Sequence, residues 1–244
     1  MQAIENNFST VRSAVVLAGG LGTRLRQAVP DIPKPMAPVL GRPFLAHQLD
    51  YWINQGISEF ILSVGYRHEV IMNYFGKSYH GATIHYAVED EPLGTGGGLL
   101  LASRFLPNSD PFLVTNGDTF FEIALTDLKQ IHGRTKARFT LSLFRTKEAH
   151  RYMSIQLAEN GRVISVGNEV AAGSFLVNGG VYIVDPSVLT ESGFSIGRKF
   201  SLEDDLIPNL ISSRHELQGY ECSGRFIDIG VPRDYFRVSE LFKN

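Results

Sequence analysis

The chain has 244 residues, of which 43% are hydrophobic and 20% charged, and its formal net charge is −2. This composition is typical of an ordinary globular protein with enough apolar side chains for a sizeable core. Basic and acidic residues are evenly spread, and no apolar stretch approaches the ~20 residues that cross a bilayer, so we expect neither a nucleic-acid nor a membrane partner.

Apolar periodicity predicts that strands and helices alternate in the first half of the chain. Residues 14–18 form a continuous apolar run, as in a strand buried on both faces, and residues 60–64, 83–88 and 112–115 are further predicted strands. Residues 44–55 place apolar side chains on one helical face before Gly56, and residues 68–75 are a second predicted helix. A glycine-rich segment begins a third helix, which extends to about Phe105.

The pattern is less regular after Asp118. We predict strands over residues 139–144, 154–157, 181–184, 217–221 and 226–229, a helix over 202–211 and a last helix from Arg233. No internal repeat or low-complexity segment is visible. The alternation of strands and helices favours an α/β fold with a largely parallel sheet.

The cysteine content and the start of the chain predict a cytoplasmic location. Cys222 is the single cysteine, which excludes an internal disulfide and is typical of a reducing compartment. Residues 1–12 are polar and lack the basic and apolar regions of a signal peptide. We expect them to be an extension and residues 13–244 to form a single domain, while a homo-oligomer stays open.

The most informative segment follows the first predicted strand, where residues 17–25 read LAGGLGTRL. Glycines let the backbone turn tightly and approach phosphate oxygens, and Arg24 offers a planar fork of donors to a polyphosphate. A strand-to-helix turn that merely needs glycine is the alternative. The dinucleotide pattern fails because Leu25 replaces its last glycine, as Leu99 does in a second cluster at residues 94–98. A Walker loop does not occur.

Residues 34–43, KPMAPVLGRP, lie shortly after this loop. Four prolines from Pro33 to Pro43 stiffen the segment and hold Lys34 in a defined place. A lysine fixed near a phosphate-binding loop suits charge neutralisation during phosphoryl transfer. The alternative is an exposed lysine in a rigid turn.

The strings LAGGLGTRL and KPMAPVLGRP together resemble the opening signature of the sugar-1-phosphate nucleotidyltransferases. The likeness continues through PLGTGG, NGD, NGGVYI and DIGVPRDY, over nearly the whole chain. It implies a Rossmann-like, three-layer fold around a mostly parallel mixed sheet, with a nucleotide lobe over residues 13–125 and a sugar-phosphate lobe over 126–244. It also implies that a sugar 1-phosphate attacks the α-phosphorus of a nucleoside triphosphate and releases pyrophosphate, with Mg²⁺ as the cofactor.

The resemblance assigns residues to this reaction. Catalysis is assigned to Arg24, Lys34 and Asp118. Nucleotide binding is assigned to a larger set: Leu17, Ala18, Gly19, Gly20, Gly22, Thr23, Arg24, Glu89, Gly94, Asn116 and Gly117.

Glu89 lies in a region that faces the nucleobase in the resembled family, where members that use uracil or thymine typically carry glutamine. An ionised carboxylate only accepts hydrogen bonds, and guanine presents two adjacent donors. Glu89 therefore favours GTP. A surface acid in the run Glu-Asp-Glu is the alternative.

Two aspartates lie at the ends of apolar strands, Asp118 in NGD and Asp228 in IDIG. Ligand clefts of α/β sheets open beyond the carboxyl ends of strands, and two carboxylates with phosphate oxygens and water suit Mg²⁺. The resemblance assigns metal binding to both residues. Without it, each is more typical of a turn or a cap.

The resemblance places the acceptor sugar at Tyr152, Asn178, Gly179 and Glu203. The amide of Asn178, in an expected turn, can both donate to and accept from sugar hydroxyls. Glu203 stands where the family often has an acid that contacts the sugar, although a helix N-terminus also favours an acid.

Two positions depart from the family pattern. Met153 stands where relatives usually have the glycine of Arg-Tyr-Gly, and Val170 stands where they tend to have a lysine that grips the acceptor phosphate. Arg198 or Lys199 is a candidate to replace that lysine. These changes indicate either a pocket remodelled for another sugar or compromised turnover.

Among subfamilies, the strings VPDIPKPMAP, SVGY and EDEPLGTGG most resemble heptose 1-phosphate guanylyltransferases. The leading hypothesis is transfer of GMP from GTP to D-glycero-α-D-manno-heptose 1-phosphate. Mannose or glucose 1-phosphate with another nucleotide is one alternative, and a non-catalytic regulatory homologue that binds nucleotide sugars is another. A nicotinamide-dependent dehydrogenase is disfavoured because its fingerprint is absent.

Overall fold

The computed structural model describes residues 11–20, 22, 25, 29, 32–107, 109–148, 151–167, 173–213 and 216–243. The helices are α1 (Phe44–Ile53), α2 (His68–Phe75), α3 (Gly94–Ala102), α4 (Leu125–Thr135), α5 (Pro186–Glu191), α6 (Ile207–Ser212) and α7 (Pro232–Leu241). The strands are β1 (Ser13–Leu17), β2 (Pro38–Val39), β3 (Arg42–Pro43), β4 (Glu59–Val64), β5 (Ser78–Tyr79), β6 (Ala82–Val88), β7 (Phe112–Asn116), β8 (Thr119–Phe121), β9 (Phe139–Thr146), β10 (Ser154–Leu157), β11 (Val163–Gly167), β12 (Phe175–Val184), β13 (Leu217–Glu221) and β14 (Phe226–Asp228).

Ten strands form one mixed sheet with the order β11-β10-β12-β7-β1-β4-β6-β5, in which β9 also pairs with β12 and β13 with β9. Strands β7, β1, β4 and β6 are parallel to one another, because helical connections return the chain to the same edge. Strand β12 is antiparallel to β7 and β9. The predicted α/β fold is confirmed, and a single sheet runs through both predicted lobes.

Side chains of β1 alternate between two cores, one on each face of the sheet. Ala14 and Val16 belong to the core that also contains Trp52 of α1, whereas Val15 belongs to the core that contains Leu99 of α3. Helices α1, α2 and α4 contribute to the first core, and α3, α5 and α6 to the second. The layers are therefore helix, sheet and helix, which explains the uninterrupted apolar run of β1.

Several elements after residue 118 differ from the sequence prediction. Helix α4 was not predicted because its buried side chains are only Leu125, Leu128 and His132. Helix α5 has six residues, too few for a clear period. The predicted helix over 202–211 consists of a π-helical turn, Leu202–Leu206, followed by α6.

Strand β12 is longer than predicted and contains an irregularity that positions a site residue. It extends from Phe175 to Val184, and its register against β9 shifts between Asn178 and Tyr182. Gly180 has a φ of 70°, a left-handed conformation that favours glycine. The expected turn at residues 178–180 is therefore a bulge within a strand.

The described chain is already part of the fold at Val11, which is fully buried. The carbonyl of Arg12 accepts a hydrogen bond from the N–H of Ser58 at 2.9 Å. Residues 1–10 of the predicted extension lie outside the described residues. No helix in the described ranges is long and apolar enough to span a membrane.

Candidate active site

Strands β1 and β7 end side by side, and the residues that follow them form one edge of a cavity. Leu17 pairs with Asn116 in the sheet, and the N–H of Gly117 donates to the carbonyl of Leu17 at 2.9 Å. A Cβ on Gly117 would also lie 2.9 Å from that oxygen. Glycine is therefore required for the two strand ends to approach, at the edge where α/β sheets bind ligands.

A cavity of about 270 Å³, the first cavity, opens at this edge. Its lining brings together ten of the predicted nucleotide-binding and catalytic residues: Leu17, Ala18, Gly19, Gly20, Glu89, Gly94, Asn116, Gly117, Lys34 and Asp118. Gly22 is not among the lining residues; its φ is 59°, and a Cβ there would lie 3.1 Å from the Cβ of Lys34. Thr23 and Arg24 lie outside the described residues.

The Glu89 carboxylate lies in the wall of the first cavity and is held at both oxygens. Oε1 accepts a hydrogen bond from the Ser63 hydroxyl at 2.8 Å, and Oε2 accepts one from the N–H of Leu93 at 2.9 Å. A side chain at Gly19 would clash with Oε1. Glu89 is thus half-buried and fixed, not a free surface acid, and each oxygen keeps a lone pair for another donor.

The glycine cluster at the start of α3 packs against the backbone that precedes the π-helical turn. The N–H of Gly96 donates to the carbonyl of Phe200 at 3.1 Å, and a Cβ on Gly94 would lie 2.5 Å from the same oxygen. Close approach of two backbones therefore accounts for these glycines. Gly94 and Thr95 also line the first cavity.

Lys34 lies at the centre of a charged cluster. The short 3₁₀ turn Lys34–Met36, flanked by prolines, fixes its backbone. Its Nζ forms an ion pair with Oδ2 of Asp118 and lies 3.9 Å from Oδ1 of Asp228. The Lys34 side chain is only 10% exposed, so the alternative of an exposed lysine is wrong. Two carboxylates, one from the turn between β7 and β8 and one from β14, converge on one ammonium group.

The backbone around the two aspartates holds them together. The Ile229 N–H donates to the carbonyl of Asp118 at 2.9 Å, and β8 and β14 form a two-stranded sheet beside it. The Gly230 N–H donates to Oδ1 of Asp228 at 2.6 Å, and a Cβ on Gly230 would lie 2.5 Å from Nζ of Lys34. Backbone hydrogen bonds and close packing therefore fix the positions of Lys34 and the two aspartates.

The residues present fit a magnesium ion. Asp118 and Asp228 offer hard carboxylate oxygens that already surround one positive group, and Mg²⁺ prefers such ligands. No group of three or more His, Cys, Asp or Glu suited to a metal occurs among the described residues. The protein would therefore supply two ligands, and substrate oxygens or water the others, which is how Mg²⁺ commonly binds at phosphates.

A second cavity, of about 490 Å³, adjoins the first and shares Asn116 and Asp118 with it. All four predicted acceptor residues line it, together with Asp228: Tyr152, Asn178, Gly179 and Glu203. The aspartate pair therefore lies where the two cavities meet. A group that is transferred from a ligand in one cavity to a ligand in the other would therefore react beside this pair.

A partly buried chain of hydrogen bonds connects the two cavities. The Asn178 amide donates to the Tyr182 hydroxyl at 2.5 Å, and that hydroxyl lies 3.4 Å from Oε1 of Glu203. The Thr95 hydroxyl donates to Oε2 of Glu203 at 2.7 Å. Burial, and then the Glu203 charge, raise the pKa of Tyr182 far above its usual range. Sequence analysis missed Tyr182, whose one signal is a polar hydroxyl within an apolar strand.

The two departures from the family pattern have different outcomes. Met153 lines the second cavity, as expected of a residue that changes its shape. Val170 lies outside the described residues. Of the two candidate replacements, Lys199 lines the first cavity, whereas the Arg198 guanidinium lies 5.1 Å from the ring centroid of Phe194.

Arg151 is a further residue that sequence analysis missed. Its guanidinium pairs with Asp234 at 2.5 Å and lies 3.4 Å from Oδ2 of Asp228. It lines the second cavity beside Tyr152. Burial raises the pKa of Tyr152 well above its usual range. Arg151 therefore balances the negative charge of the aspartate that Lys34 reaches only at 3.9 Å.

Comparisons with known proteins agree with this geometry. Residues 13–244 match the Nucleotidyl transferase family. A D-glycero-alpha-D-manno-heptose 1-phosphate guanylyltransferase from Aneurinibacillus thermoaerophilus is 40% identical over 93% of this chain and 96% of its own. A protein of the same name from Campylobacter jejuni is 40% identical over 91% and 96%.

Solved structures show the same relationship. HddC from Yersinia pseudotuberculosis, in a crystal structure complexed with GMP-PN, has a TM-score of 0.81 and 32% identity over 96% of this chain and 100% of that one. A putative glucose-1-phosphate thymidylyltransferase from Bacillus anthracis has a TM-score of 0.83 at 21% identity, covering 95% of each chain, which shows the fold alone. The resemblance noted in the sequence is confirmed, and the chain belongs to the nucleotidyl transferase family.

Proposed function

We propose that the enzyme transfers GMP from GTP to D-glycero-α-D-manno-heptose 1-phosphate and releases pyrophosphate. The observation that carries the proposal is the convergence of Asp118 and Asp228 on Lys34 at the junction of the two cavities. Relatives named as heptose 1-phosphate guanylyltransferases, at 40% identity over nearly the whole chain, support the choice of substrates.

In this proposal GTP occupies the first cavity and the sugar phosphate the second. Glu89 accepts hydrogen bonds from the two adjacent donors of guanine, while the glycines after β1 let phosphates approach the backbone. Tyr152, Asn178, Gly179 and Glu203 bind the acceptor, whose phosphate thereby lies near the aspartate pair. We assign residues 13–125 to the nucleotide lobe and 126–244 to the sugar-phosphate lobe of one domain.

The chemical step forms one bond and breaks one. A phosphate oxygen of the acceptor forms a bond to the α-phosphorus of GTP. The P–O bond on the opposite side breaks, and pyrophosphate leaves with its electron pair. No protein base is needed, because the acceptor phosphate is ionised at neutral pH. Lys34 neutralises charge on the reacting phosphates, with Arg24 as the proposed second cation.

Asp118 and Asp228 are the residues that would hold Mg²⁺. When bound, the ion supplies charge neutralisation at the phosphates and lowers their mutual repulsion. A cytoplasmic location, consistent with the single cysteine, completes the proposal.

A second candidate, a non-catalytic homologue that binds nucleotide sugars, is favoured by one observation. Met153 lines the second cavity, at a position where the resembled pattern has glycine. The buried cluster around Lys34 favours catalysis instead, because a protein that only binds its ligand has no need for paired carboxylates at the reacting phosphates.

Pyrophosphate release tests the proposal directly. We expect release with Mg²⁺, GTP and the heptose phosphate to exceed that with other common nucleotides, or with mannose or glucose 1-phosphate, by at least about tenfold in kcat/KM. Exclusive use of a hexose phosphate would overturn the acceptor assignment. If folded protein binds nucleotide but releases no pyrophosphate with any pair of substrates, the non-catalytic homologue would be favoured.

A further inference from the structure

One face of α1 carries polar side chains that reach the segment between β7 and α4. Gln48 and Tyr51 lie three residues apart on one face of α1, and Gln55 lies in the turn that follows the helix. The Tyr51 hydroxyl donates to the carbonyl of Ile123 at 2.8 Å, and Oε1 of Gln55 accepts from the Leu125 N–H at 2.7 Å. The helix and the turn after it thus hold this segment at its far end through Tyr51 and Gln55.

Gln48 holds the near end, where Asp118 lies. Its Nε2 donates to the carbonyl of Asn116 at 2.9 Å and also to the carbonyl of Thr119. These two carbonyls flank the Gly117-Asp118 tip, so one amide group spans the tip. Gln48 is only 1% exposed, and buried donor groups such as its Nε2 are normally hydrogen-bonded, as here.

The same helix is also connected to Lys34, the partner of Asp118. The Phe44 N–H, at the start of α1, donates to the carbonyl of Ala37 at 2.9 Å. The Ala37 N–H in turn donates to the carbonyl of Lys34 at 3.0 Å. Helix α1 therefore relates the positions of both charged groups, Lys34 through its first residue and Asp118 through Gln48.

We propose that Gln48 is a positioning residue that sets the Asp118 carboxylate for metal binding and nucleotidyl transfer. It acts through the backbone on either side of Asp118 and touches neither substrate. The inference rests on the proposed function. Loss of the amide removes a hydrogen bond from each of these two carbonyls, so the tip gains freedom. Partners outside the immediate ligands of a metal typically contribute about 10–100-fold in affinity or activity.

The test compares Gln48→Met with the matched control Gln55→Met. Both remove an amide at nearly constant volume, Gln48→Met from α1 and Gln55→Met from the turn after it. Gln55 contacts residues 123 and 125 and not the Asp118 tip. Three quantities are measured: kcat with Mg²⁺, affinity for Mn²⁺ in the presence of α,β-methylene GTP by electron paramagnetic resonance, and amide hydrogen exchange.

We expect Gln48→Met to lower kcat and Mn²⁺ affinity by about tenfold or more, and to speed exchange in peptides that cover residues 116–119. Gln55→Met should leave kcat and Mn²⁺ affinity nearly unchanged and speed exchange only around residues 122–126. Equal effects of the two substitutions, or a folded Gln48→Met enzyme with unchanged metal affinity, would overturn the proposal.

A second variant tests the proposal if Gln48→Met does not fold. Gln48→Asn keeps the donor amide on a shorter stem that cannot reach both carbonyls, and a loss of about fivefold or more in Mn²⁺ affinity is expected; unchanged affinity contradicts the proposal. Because metal affinity and exchange are measured without turnover, they test Gln48 even if the wild-type protein releases no pyrophosphate, a result that would refute the proposed function alone.

Discussion

Glu89 shows how a single carboxylate can be both held by the fold and available to a ligand. Ser63 and Leu93 each donate to one of its oxygens, which fixes the plane of the carboxylate beside Gly19. A carboxylate can accept further hydrogen bonds at both oxygens, whereas an amide accepts at one end and donates at the other. The identity of this side chain should therefore affect the choice of nucleobase.

The substitution Glu89→Gln tests this role. Its oxygen can still accept from Leu93 and its amide can donate to the Ser63 hydroxyl, so the fold should be retained. We expect kcat/KM for GTP to fall by at least about tenfold, since one accepting group is lost to guanine. The preference for GTP over UTP, measured as a ratio of kcat/KM values, should narrow accordingly.

Asp90→Asn is the matched control, because Asp90 is the next acid in the sequence and is exposed. It removes the same charge without changing the wall of the first cavity, and the nucleotide preference should not change. Equal changes in preference for both variants would mean that net charge, and not the geometry of Glu89, selects the nucleotide.

Sequence motifs located most of the candidate site but not the residues that support it. The glycine loop, Lys34, Asp118 and Asp228 were predicted because each motif has a recognisable string, and the fold brings the described ones together. Gln48 lies outside these strings, and its contact with Thr119 joins residues 71 positions apart. Tyr182 lies within NGGVYI, but the string does not show that its hydroxyl meets Glu203, 21 positions away. Their partners can be identified only in three dimensions.

At the scale of elements, the hairpin of β2 and β3 carries local strain. Its two-residue turn places Leu40 at a φ of 49° and Gly41 at 79°, the signature of a turn that favours asparagine followed by glycine. Leu40 is 48% exposed, so little packing offsets the left-handed conformation.

Leu40→Asn should therefore stabilise the enzyme by about 0.5–1 kcal/mol. For a chain of this length we expect a rise in Tm of about 1–4 °C by calorimetry. The neighbouring substitution Gly41→Ala, which forces a Cβ into a left-handed position, should lower Tm. A lower Tm for Leu40→Asn would show that the leucine side chain makes a stabilising contact.

His132 in α4 makes stability depend on pH. Burial lowers its pKa from 6.5 to about 4, with a smaller opposing effect of Asp185, and its Nδ1 lies 2.8 Å from the Thr140 hydroxyl. His132 is therefore protonated below about pH 6.5 in the unfolded chain but only below about pH 4 in the folded chain. This contribution to stability is complete above pH 6.5 and is lost as the pH falls to 4.

We expect His132 to account for a loss of about 3 kcal/mol in the free energy of unfolding between pH 7 and pH 4. Denaturant titrations of wild type and His132→Asn across this range measure the effect. The variant, which keeps a polar partner for Thr140 but does not titrate, should lose correspondingly less stability than the wild type. Parallel curves for the two proteins would contradict the assignment.

The parallel strands and the helices of the first half could be predicted almost to the residue, because buried parallel strands are continuous apolar runs. The two-residue strands β2, β3 and β5 were not predicted. The second half was harder. Helix α4 buries few apolar side chains, and the bulge in β12 looks like a turn in sequence because Gly179 and Gly180 stand in its middle. Antiparallel pairing between β7 and β12 depends on contacts across 65 or more residues, which no local pattern specifies.

At the scale of the whole molecule, this pairing has a functional consequence. Asp118 lies in the turn that follows β7, and the antiparallel neighbour β12 carries Asn178, so one sheet edge holds both cavities in fixed relation. Strand β14 then brings Asp228 beside Asp118 from near the end of the chain. The proposed reaction centre is therefore built from both halves of the chain, and neither half contains it alone.

The most direct test of the central claim is the formation of GDP-heptose from GTP and D-glycero-α-D-manno-heptose 1-phosphate with Mg²⁺, followed by ³¹P NMR for wild type and Asp118→Asn. We predict equal amounts of GDP-heptose and pyrophosphate from the wild type, and a rate at least about 100-fold lower from the folded variant. Undiminished product formation by Asp118→Asn, or consumption of GTP without a nucleotide sugar, would contradict the account.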